Sequence, residues 1–194
     1  SLVQHTQLAQ LLTDDVALQN YLYGRLWLDV LQDFPPEKLE TEEILEIFRA
    51  IPPRLYSISS SPKMHPGQVH VTVGVVHYHA HGLDREGVSS NYLARRSIGS
   101  RIPVFTQANS HFHPPKDPAL PMIMVGPGTG VAPFRAFIEE REAVGATGKN
   151  WLFFGDQHQA SDFLYQREWE DKLARGILSK LSLAFSRDQS ERIY

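Results

Sequence analysis

The stretch PMIMVGPGTGVAPFR, residues 121–135, predicts a strand, a glycine loop and the start of a helix. Its apolar run from Met122 to Val125 is typical of a buried, central parallel strand. Alternating glycines then allow a sharp turn and a close approach of the backbone to a ligand, and Pro133 suits the first turn of a helix. Because a helix start presents unpaired N–H groups and a positive dipole end, the stretch predicts a phosphate cradle for a nucleotide. The spacing is G-x-G-x-G rather than G-x-G-x-x-G, so a tight turn without a ligand also fits the loop taken by itself.

Composition sets the outer limits for the rest of the chain. Its 194 residues, 42% of them hydrophobic, suffice for one large domain or two small ones. A net charge of −3 gives no indication of nucleic-acid or membrane-surface binding. The chain has no cysteine, which excludes disulfides and thiolate metal sites. No apolar run approaches the roughly 18 residues of a membrane span, so we expect a cytoplasmic protein without nucleic-acid or membrane partners.

The first two thirds of the chain change from a helical pattern to a strand pattern. Residues 2–50 carry helical periodicity, with Thr41 expected as the N-cap of one helix. A short helix with a serine cap is expected at residues 89–95. The β-rich segments predict strands at residues 54–59, 69–78 and 102–105. Strands around one short helix favour a small antiparallel barrel, and the proline-rich residues 114–118 favour a domain junction.

After Pro121 the pattern alternates between strand and helix. Further strands are expected at residues 151–154 and 181–185, with a helix between them that carries Tyr165, Trp169 and Leu173 at intervals of four. Alternating strands and helices predict a parallel sheet. Only three strands are predicted before the chain stops, and a doubly wound sheet normally has more, so we expect this domain to be truncated.

Two arginines follow the last predicted strand. Ser186, Arg187 and Arg192 could hold the 2′-phosphate of NADP, because ligands of open α/β sheets bind beyond the carboxyl ends of strands and guanidinium pairs well with phosphate. Asp156 follows the preceding strand, where a carboxylate that binds ribose would indicate NAD instead. The residues by themselves therefore leave both NADP and NAD open, and a solvated loop fits the arginines as well.

A second group of residues is suited to a planar ring and a diphosphate. Tyr56 could stack on a ring, Ser57 could hydrogen-bond a ring nitrogen and Arg54 could meet a diphosphate, although an ordinary edge strand also explains them. Residues 87–90, Gly-Val-Ser-Ser, precede a helix and form a second possible diphosphate cradle. Two cradles predict two nucleotide cofactors.

Three alternating histidines, His77, His79 and His81, have the residue type of a zinc site. A polar strand end that runs into a turn at Gly82 explains them better, so we expect no metal.

Taken in order, these motifs resemble the ferredoxin-NADP reductase module of the diflavin reductases, and the resemblance covers essentially the whole chain. The residues that resemble the family's FAD contacts are Arg54, Leu55, Tyr56, Ser57, Thr72, Val73, Gly74, Tyr78, Gly87, Val88, Ser89 and Ser90. Those that resemble its NADPH contacts are Gly128 and Thr129 in the loop, followed by Ser186, Arg187, Arg192, Ile193 and Tyr194. The phrases GKNWLFFG and SRDQ are similar to the sulfite reductase branch of the family, whereas cytochrome P450 reductase and nitric oxide synthase share most of the other motifs.

The resemblance implies a fold, cofactors and partners. It implies a multi-domain α and β protein, with a helical connecting region at 1–50, an FAD-binding antiparallel β-barrel at 51–118 and an α/β parallel-sheet NADPH-binding domain at 119–194. It also implies that NADPH passes a hydride to FAD beside Ser57, the expected catalytic residue. Electrons would then pass through FMN, in a flavodoxin-like domain absent from this chain, to a sulfite reductase hemoprotein subunit in cysteine biosynthesis. We expect the full-length form to be oligomeric. The family's first barrel strands and last strands have no counterpart, so we expect both nucleotide domains to be partial and this fragment to be inactive alone. A non-catalytic nucleotide-binding module is the other hypothesis.

Overall fold

The computed structural model describes residues 2–48 and 50–192, which fall into two compact units. Unit 1 comprises Ser1–Arg54 and Val75–Arg96, and unit 2 comprises Leu55–Gly74 and Ser97–Tyr194. The units do not follow chain order, because unit 2 takes in a segment that precedes part of unit 1.

Unit 1 is built from short helices and one hairpin. Its elements are α1 (Leu2–Thr13), α2 (Asp15–Leu22), α3 (Trp27–Asp33), α4 (Thr41–Ile47), β1 (His77–Ala80), β2 (Leu83–Glu86) and α5 (Val88–Ala94). The Asp14 carboxylate caps α2 by accepting hydrogen bonds from the N–H groups of Val16 and Ala17. These elements confirm the predicted helical character of the first fifty residues.

The hairpin of unit 1 turns through two residues. Strands β1 and β2 pair antiparallel, with Ala80 opposite Leu83, and the turn residues His81 and Gly82 both have positive φ, 51° and 74°. Positive φ at both central positions matches the twist of the flanking strands and is the geometry of tight hairpins. The predicted turn at Gly82 is therefore confirmed.

A buried ion pair ties α3 to β2. The Asp29 carboxylate accepts a hydrogen bond from Arg85, and it accepts a second from the Leu26 N–H group at 2.7 Å. The Arg85 guanidinium and the Leu26 N–H together hold the pKa of Asp29 below its ordinary value. This contact joins the helical segment to the hairpin within unit 1.

Unit 2 contains a parallel sheet with helices between its strands. Its elements are β3 (Met122–Val125), a 3₁₀ turn (Gly128–Val131), α6 (Ala132–Ala143), β4 (Asn150–Asp156), α7 (Gln159–Asp162), α8 (Gln166–Ala174) and β5 (Lys180–Phe185). The sheet order is β3-β4-β5 and both pairs are parallel. The predicted alternation of strands and helices, and the helix start around Pro133, are confirmed.

The core of unit 2 lies on one face of this sheet. Met124 and Leu152 from the sheet pack with Ile138 of α6, Trp169 of α8 and Leu178, all at most 1% exposed. The opposite face of β3 is open, since Ile123 and Val125 are 66% and 65% exposed. The prediction of a central strand buried on both faces is therefore wrong for β3, which is an edge strand in the described sheet.

The strands predicted between residues 54 and 105 mostly do not form. Segments 54–59 and 69–76 meet only at an isolated antiparallel bridge between Ile58 and Val71, and β1 begins at His77. Residues 102–105 have no strand, and Pro103 has no N–H group to give to a ladder. Strand propensity gives extended backbone, whereas a strand needs a continuous partner. The hairpin and this bridge do not close into a barrel within the described residues.

Two predicted helix caps lie one or two residues from the observed ones. Helix α4 begins at Thr41 and its N-cap is Glu40, whose N–H group donates to the Glu43 carboxylate at 2.9 Å. Helix α5 begins at Val88 with Gly87 as its N-cap rather than a serine. In the described ranges, no helix is both long and apolar enough to span a membrane.

Candidate functional site

The glycine loop between β3 and α6 is closely packed at its first glycine. A Cβ atom on Gly126 would lie 2.8 Å from the Phe134 ring and 2.9 Å from both the Gly130 carbonyl oxygen and the Val131 Cα. Two of these atoms belong to the backbone and cannot rotate away. Glycine at this position lets the loop fold back against the start of α6.

The later glycines leave the outer side of the loop accessible. Gly128 has φ of +52°, a conformation that favours glycine, and a Cβ on Gly130 would meet nothing closer than Pro127 Cδ at 3.8 Å. The open backbone at Gly130 lies two residues before α6 begins at Ala132, where the positive end of the helix dipole favours an anion. The N–H of Gly130 itself donates to the Pro127 carbonyl oxygen at 2.9 Å. These residues therefore fit a bound diphosphate.

Backbone hydrogen bonds join the loops that follow β4 and β5. The N–H of Ser186 donates to the Asp156 carbonyl oxygen and the N–H of Arg187 donates to the Gln157 carbonyl oxygen, both at 2.9 Å. The Asp156 carboxylate faces the glycine loop, 3.5 Å from where a Cβ on Gly128 would lie. The carboxyl edge of the sheet thus brings together three positions considered for nucleotide binding, Gly128, Asp156 and Ser186. The side chain of Arg187 is exposed beside them.

Asp188 is a residue of this edge that sequence reasoning missed. Its carboxylate accepts hydrogen bonds from the Gln159 N–H at 2.8 Å and from His158 Nδ1 at 2.9 Å. The Gln159 N–H and then His158 hold the pKa of Asp188 below its ordinary value. The contact fixes the loop that carries Ser186 and Arg187 against the loop after β4.

Within unit 2, the predicted flavin segment lies against the nucleotide loop. The bridge between Ile58 and Val71 brings Ser57 and Thr72, each one residue beyond it, to adjacent positions. A Cβ on Gly74 would lie 3.5 Å from the Thr129 methyl group. The motif predicted to contact FAD therefore touches the loop predicted to contact NADPH.

Side chains of α6 hold this segment in place, and the sequence analysis did not single them out. Arg135 donates to the Ser59 carbonyl oxygen at 2.6 Å, and Glu139 accepts from the Ser61 N–H at 2.8 Å. Glu140 accepts from the Ser61 hydroxyl at 2.6 Å and pairs with Lys63. Lys63 and then Ser61 lower the pKa of Glu140. In the sequence, these residues are visible only as an arginine followed by two glutamates on a predicted helix, which does not indicate what they bind.

The remaining predicted contacts of unit 2 differ in exposure. Tyr56 and Val73 are half-buried, Leu55 and Ser57 are exposed, and Thr72 is half-buried with its hydroxyl 2.6 Å from that of Tyr165. Arg192 is exposed, and the predicted contacts Ile193 and Tyr194 lie outside the described residues.

In unit 1, the second predicted cradle is held by its own side chains. A Cβ on Gly87 would lie 2.7 Å from Val76 Cβ. The Ser90 hydroxyl accepts from the Val76 N–H at 3.1 Å and lies 3.2 Å from the Gly87 carbonyl oxygen, which it can donate to. Ser90 is buried, Ser89 is half-buried and Val88 is exposed. The Ser90 hydroxyl is thus engaged within the loop, and the exposed side of this turn is formed by Val88.

Comparison with known proteins gives the family. Residues 5–92 match the family described as the FAD binding domain, and residues 124–190 match the family described as the oxidoreductase NAD-binding domain. This chain belongs to the ferredoxin-NADP reductase type of module. The first range contains every predicted FAD contact, and the second contains the glycine loop, Ser186 and Arg187 but ends before Arg192.

Several curated relatives of this ferredoxin-NADP reductase-type module carry the name "Sulfite reductase [NADPH] flavoprotein alpha-component". The Bacillus subtilis protein is 52% identical over 175 residues, which is 90% of this chain and 29% of the relative. The proteins of Photorhabdus laumondii and Cronobacter sakazakii are each 46% identical over 100% of this chain and 32% of the relative. The chain therefore spans about a third of the length of these relatives.

Two further predicted FAD contacts of the module lie in unit 1. Tyr78 is on β1 opposite Arg85 and is 46% exposed, and Arg54 is exposed with its guanidinium bonded to the Pro52 carbonyl oxygen at 2.9 Å. The ring and the guanidinium are both accessible to a ligand.

The three alternating histidines of the module are not gathered around one point. His79 contacts Asp84 at 2.9 Å, His81 contacts the Tyr23 carbonyl oxygen at 3.0 Å, and His77 lies 3.8 Å from Glu86. No group of three potential metal ligands occurs in the part of the chain that the structure describes.

Proposed function

We propose that this chain is the FAD- and NADPH-binding part of an electron-transfer flavoprotein that supplies electrons for the reduction of sulfite to sulfide. When bound, FAD supplies the redox chemistry, taking a hydride from NADPH and releasing electrons singly to FMN in a flavodoxin-like domain. The names of the relatives support sulfite as the final substrate. A hemoprotein subunit as the partner, an oligomeric full-length enzyme and a role in cysteine biosynthesis are parts of the proposal that rest on the family resemblance.

One contact carries the proposal. Gly74, in the flavin motif, lies beside Thr129 of the nucleotide loop, with 3.5 Å between the Thr129 methyl group and the Cβ position of Gly74. A hydride donor and its acceptor must be held in near-contact, since reacting atoms of a productive complex are about 3–3.5 Å apart. A flavin motif that lies against the nucleotide loop supports two cofactors held close together, whereas a single-nucleotide module has no need of such a contact.

Residues of the NADPH side have distinct roles in this proposal. The backbone at Gly128, Thr129 and Gly130 binds the diphosphate at the N-terminus of α6. Ser186, Arg187 and Arg192 hold the 2′-phosphate, and these residues after β5 favour NADPH because guanidinium groups pair well with phosphate. Asp156 faces the glycine loop, which supports a role there rather than on the 2′-oxygen of the ribose. For Ile193 and Tyr194, which lie outside the described residues, a role on the adenine side rests on the family resemblance alone.

The family resemblance assigns the FAD-side residues to two parts of the cofactor. Tyr56 would stack on the isoalloxazine ring, and the Ser57 hydroxyl would hydrogen-bond near N5 and orient the ring. Arg54 and residues 87–90 would bind the diphosphate. The other contacts are Leu55, Thr72, Val73, Gly74 and Tyr78.

The proposal keeps the domain limits that the sequence indicates. Residues 1–50 form a connecting region, 51–118 belong to an FAD-binding barrel and 119–194 to the NADPH-binding domain. The matches to an FAD-binding family at residues 5–92 and to an NAD-binding family at residues 124–190 support the order of the two nucleotide-binding regions.

Reduction of the bound flavin by NADPH tests the proposal. The full-length protein, reconstituted with FAD, should be yellow and should bleach on addition of NADPH without oxygen. A colourless full-length protein that takes up no added FAD would contradict the proposal. Nucleotide binding without bleaching would favour a non-catalytic module, and bleaching without transfer to a sulfite-reducing hemoprotein would favour a cytochrome P450 reductase-like enzyme.

Substitution of Arg187 tests the choice of nucleotide. Arg187→Ala should raise the KM for NADPH roughly 10- to 100-fold, as expected for loss of a hydrogen bond to a charged group, and leave the KM for NADH nearly unchanged. Arg167→Ala, which removes an exposed arginine of α8, is the matched control and should leave both values unchanged. Equal losses with the two nucleotides would refute contact with the 2′-phosphate.

A further inference from the structure

Arg135 is a buried side chain of unit 2 with four polar partners. It is 9% exposed and lies in the first turn of α6, six residues after Thr129. Its Nη1 donates to the Ser59 carbonyl oxygen at 2.6 Å and lies 3.4 Å from His70 Nδ1. A single guanidinium therefore contacts both arms of the segment that the Ile58–Val71 bridge joins.

The other nitrogens of Arg135 anchor it to the helices. Nε donates to Glu168 of α8 and Nη2 pairs with Glu139 of α6, both at 2.9 Å. The guanidinium carbon lies 5.0 Å from the centre of the Tyr165 ring, and the Tyr165 hydroxyl is 2.6 Å from the Thr72 hydroxyl. Two carboxylates and a ring thus hold the guanidinium in one orientation.

These contacts end beside the predicted flavin contacts. Ser59 follows Ser57 by two residues, and His70 precedes Thr72 by two. Thr72 also has a contact of its own with the Tyr165 hydroxyl. The helix that begins at the nucleotide loop is therefore bonded to both arms of the segment, each two residues from a predicted flavin contact.

We infer that Arg135 is a positioning residue for hydride transfer, which fixes the flavin-contacting segment 57–74 in register with the NADPH loop. The inference rests on the proposed function. Displacement of reacting groups by about 1 Å can lower a rate on the order of 100-fold even when both ligands still bind. Arg135 acts through Ser57, Thr72 and Gly74 and has no contact with the reacting atoms in this role.

Lysine cannot replace the guanidinium in this position. Its ammonium is a compact point charge, whereas Arg135 uses the planar fork to reach a carbonyl oxygen and two carboxylates in different directions. Arg135→Lys keeps the positive charge beside Glu139 and Glu168 and loses the geometry. The substitution therefore separates positioning from charge.

Arg141 provides a matched control on the same helix. It is 3% exposed, and its Nη2 donates to the carbonyl oxygens of Leu120 and Gly148 at 2.9 Å. These contacts belong to the opposite end of α6 from the nucleotide loop. Arg141→Lys should lower stability without a specific effect on hydride transfer.

The experiment measures flavin reduction in a single turnover. With the FAD-loaded protein in excess NADPH, Arg135→Lys should slow flavin bleaching about 10- to 100-fold, whereas FAD content and the Kd for 2′,5′-ADP should change less than about 3-fold. Tyr165→Phe removes only the Tyr165 hydroxyl that contacts Thr72 and should slow bleaching by a smaller factor. If Arg135→Lys fails to retain FAD, the bleaching rate of Tyr165→Phe is the test of the positioning role.

Two results would overturn the inference. One is an unchanged bleaching rate in Arg135→Lys or, where that variant lacks FAD, in Tyr165→Phe. The other is an equal slowing in Arg141→Lys, which would mean that the rate follows stability. A wild-type protein that binds FAD and is not reduced by NADPH would instead defeat the proposed function, so the two failures are distinguishable.

Discussion

At the scale of single residues, glycines of one loop have opposite structural roles. Gly126 is enclosed, with backbone atoms of Gly130 and Val131 within 2.9 Å of a Cβ position, whereas the same position on Gly130 is open. The sequence shows only a repeated glycine, and the surroundings decide which glycine serves the fold and which serves the ligand.

Alanine at these two glycines should therefore give different defects. Gly126→Ala should lower the free energy of unfolding by about 1–3 kcal/mol, the usual cost of overpacking. Gly130→Ala should unfold like the wild type and bind 2′,5′-ADP more weakly, because its methyl group occupies the open side of the cradle. Denaturant titration and nucleotide titration of both variants check this. If both variants bound 2′,5′-ADP as tightly as the wild type, the result would contradict the phosphate cradle.

Residues that stand in a recognisable sequence motif could be predicted as site residues. Residues whose partners lie far away in the sequence could not. Thr129, Ser186 and Arg187 stand in motifs next to predicted strand ends, and the structure brings their backbone together at one sheet edge. Arg135 and Asp188 bind groups that no local pattern places near them.

At the scale of elements, α6 has two different faces. Ile138 packs in the core with 0% exposure, whereas Arg135 and Glu139 face the segment at residues 59–70. The helix therefore joins the sheet on one side to the flavin segment on the other. A periodic apolar pattern predicts the first face, and only the contacts show the second.

Helix α8 shows how far periodicity predicts burial. The spacing of four places Trp169 and Leu173 on one face, yet Trp169 is 0% exposed and Leu173 is 41% exposed. In the same last turn Lys172 is 6% exposed and pairs with Glu142, so the buried side of the helix there is that of Lys172 and not that of Leu173. The apolar spacing does not predict this pairing.

Core and rim positions of these helices should differ in their contribution to stability. Ile138→Ala should lower the free energy of unfolding by about 2–5 kcal/mol, the range for buried aliphatic side chains. Leu173→Ala, at a partly exposed position, should cost less than about 1 kcal/mol. Urea denaturation of the two variants measures the difference. Similar losses would mean that Leu173 is covered in solution.

At the scale of the whole molecule, unit 2 is completed by a segment from earlier in the chain. Ser61 and His65 contact Glu139 over sequence separations of 78 and 74 residues, and Ser61 contacts Glu140 over 79. Of these two carboxyl groups, Glu140 has a lowered pKa and therefore holds fewer protons in the folded state than in the unfolded state. Stability of the unit should therefore depend on pH.

The pH dependence has a definite sign at Glu140. Lys63 and then Ser61 lower its folded pKa below the ordinary value of 4.5, so its contribution is present above that value and is lost as pH falls through the folded pKa. Glu140→Gln should be less stable than the wild type at pH 7, and the difference should shrink below about pH 4.5. Glu191→Gln, at an exposed carboxylate, is the control. A difference that stays constant from pH 7 to pH 3 would contradict the assignment.

The sequence by itself determined the local elements and the nucleotide motifs. The glycine loop, the start of α6, the parallel strands and the tight turn at His81 and Gly82 all follow from short-range sterics and periodicity, which a few neighbouring residues encode. The edge position of β3 and the limits of the strands near residues 58 and 71 depended on which partners are present.

Only the tertiary structure decided which segments work together. It placed residues 55–74 with the nucleotide-binding unit, put Gly74 beside Thr129 and assigned Arg135 and Glu139 to hold them. These contacts join residues more than fifty positions apart. Their geometry is set by packing of the whole unit, and no local pattern of side chains carries that information.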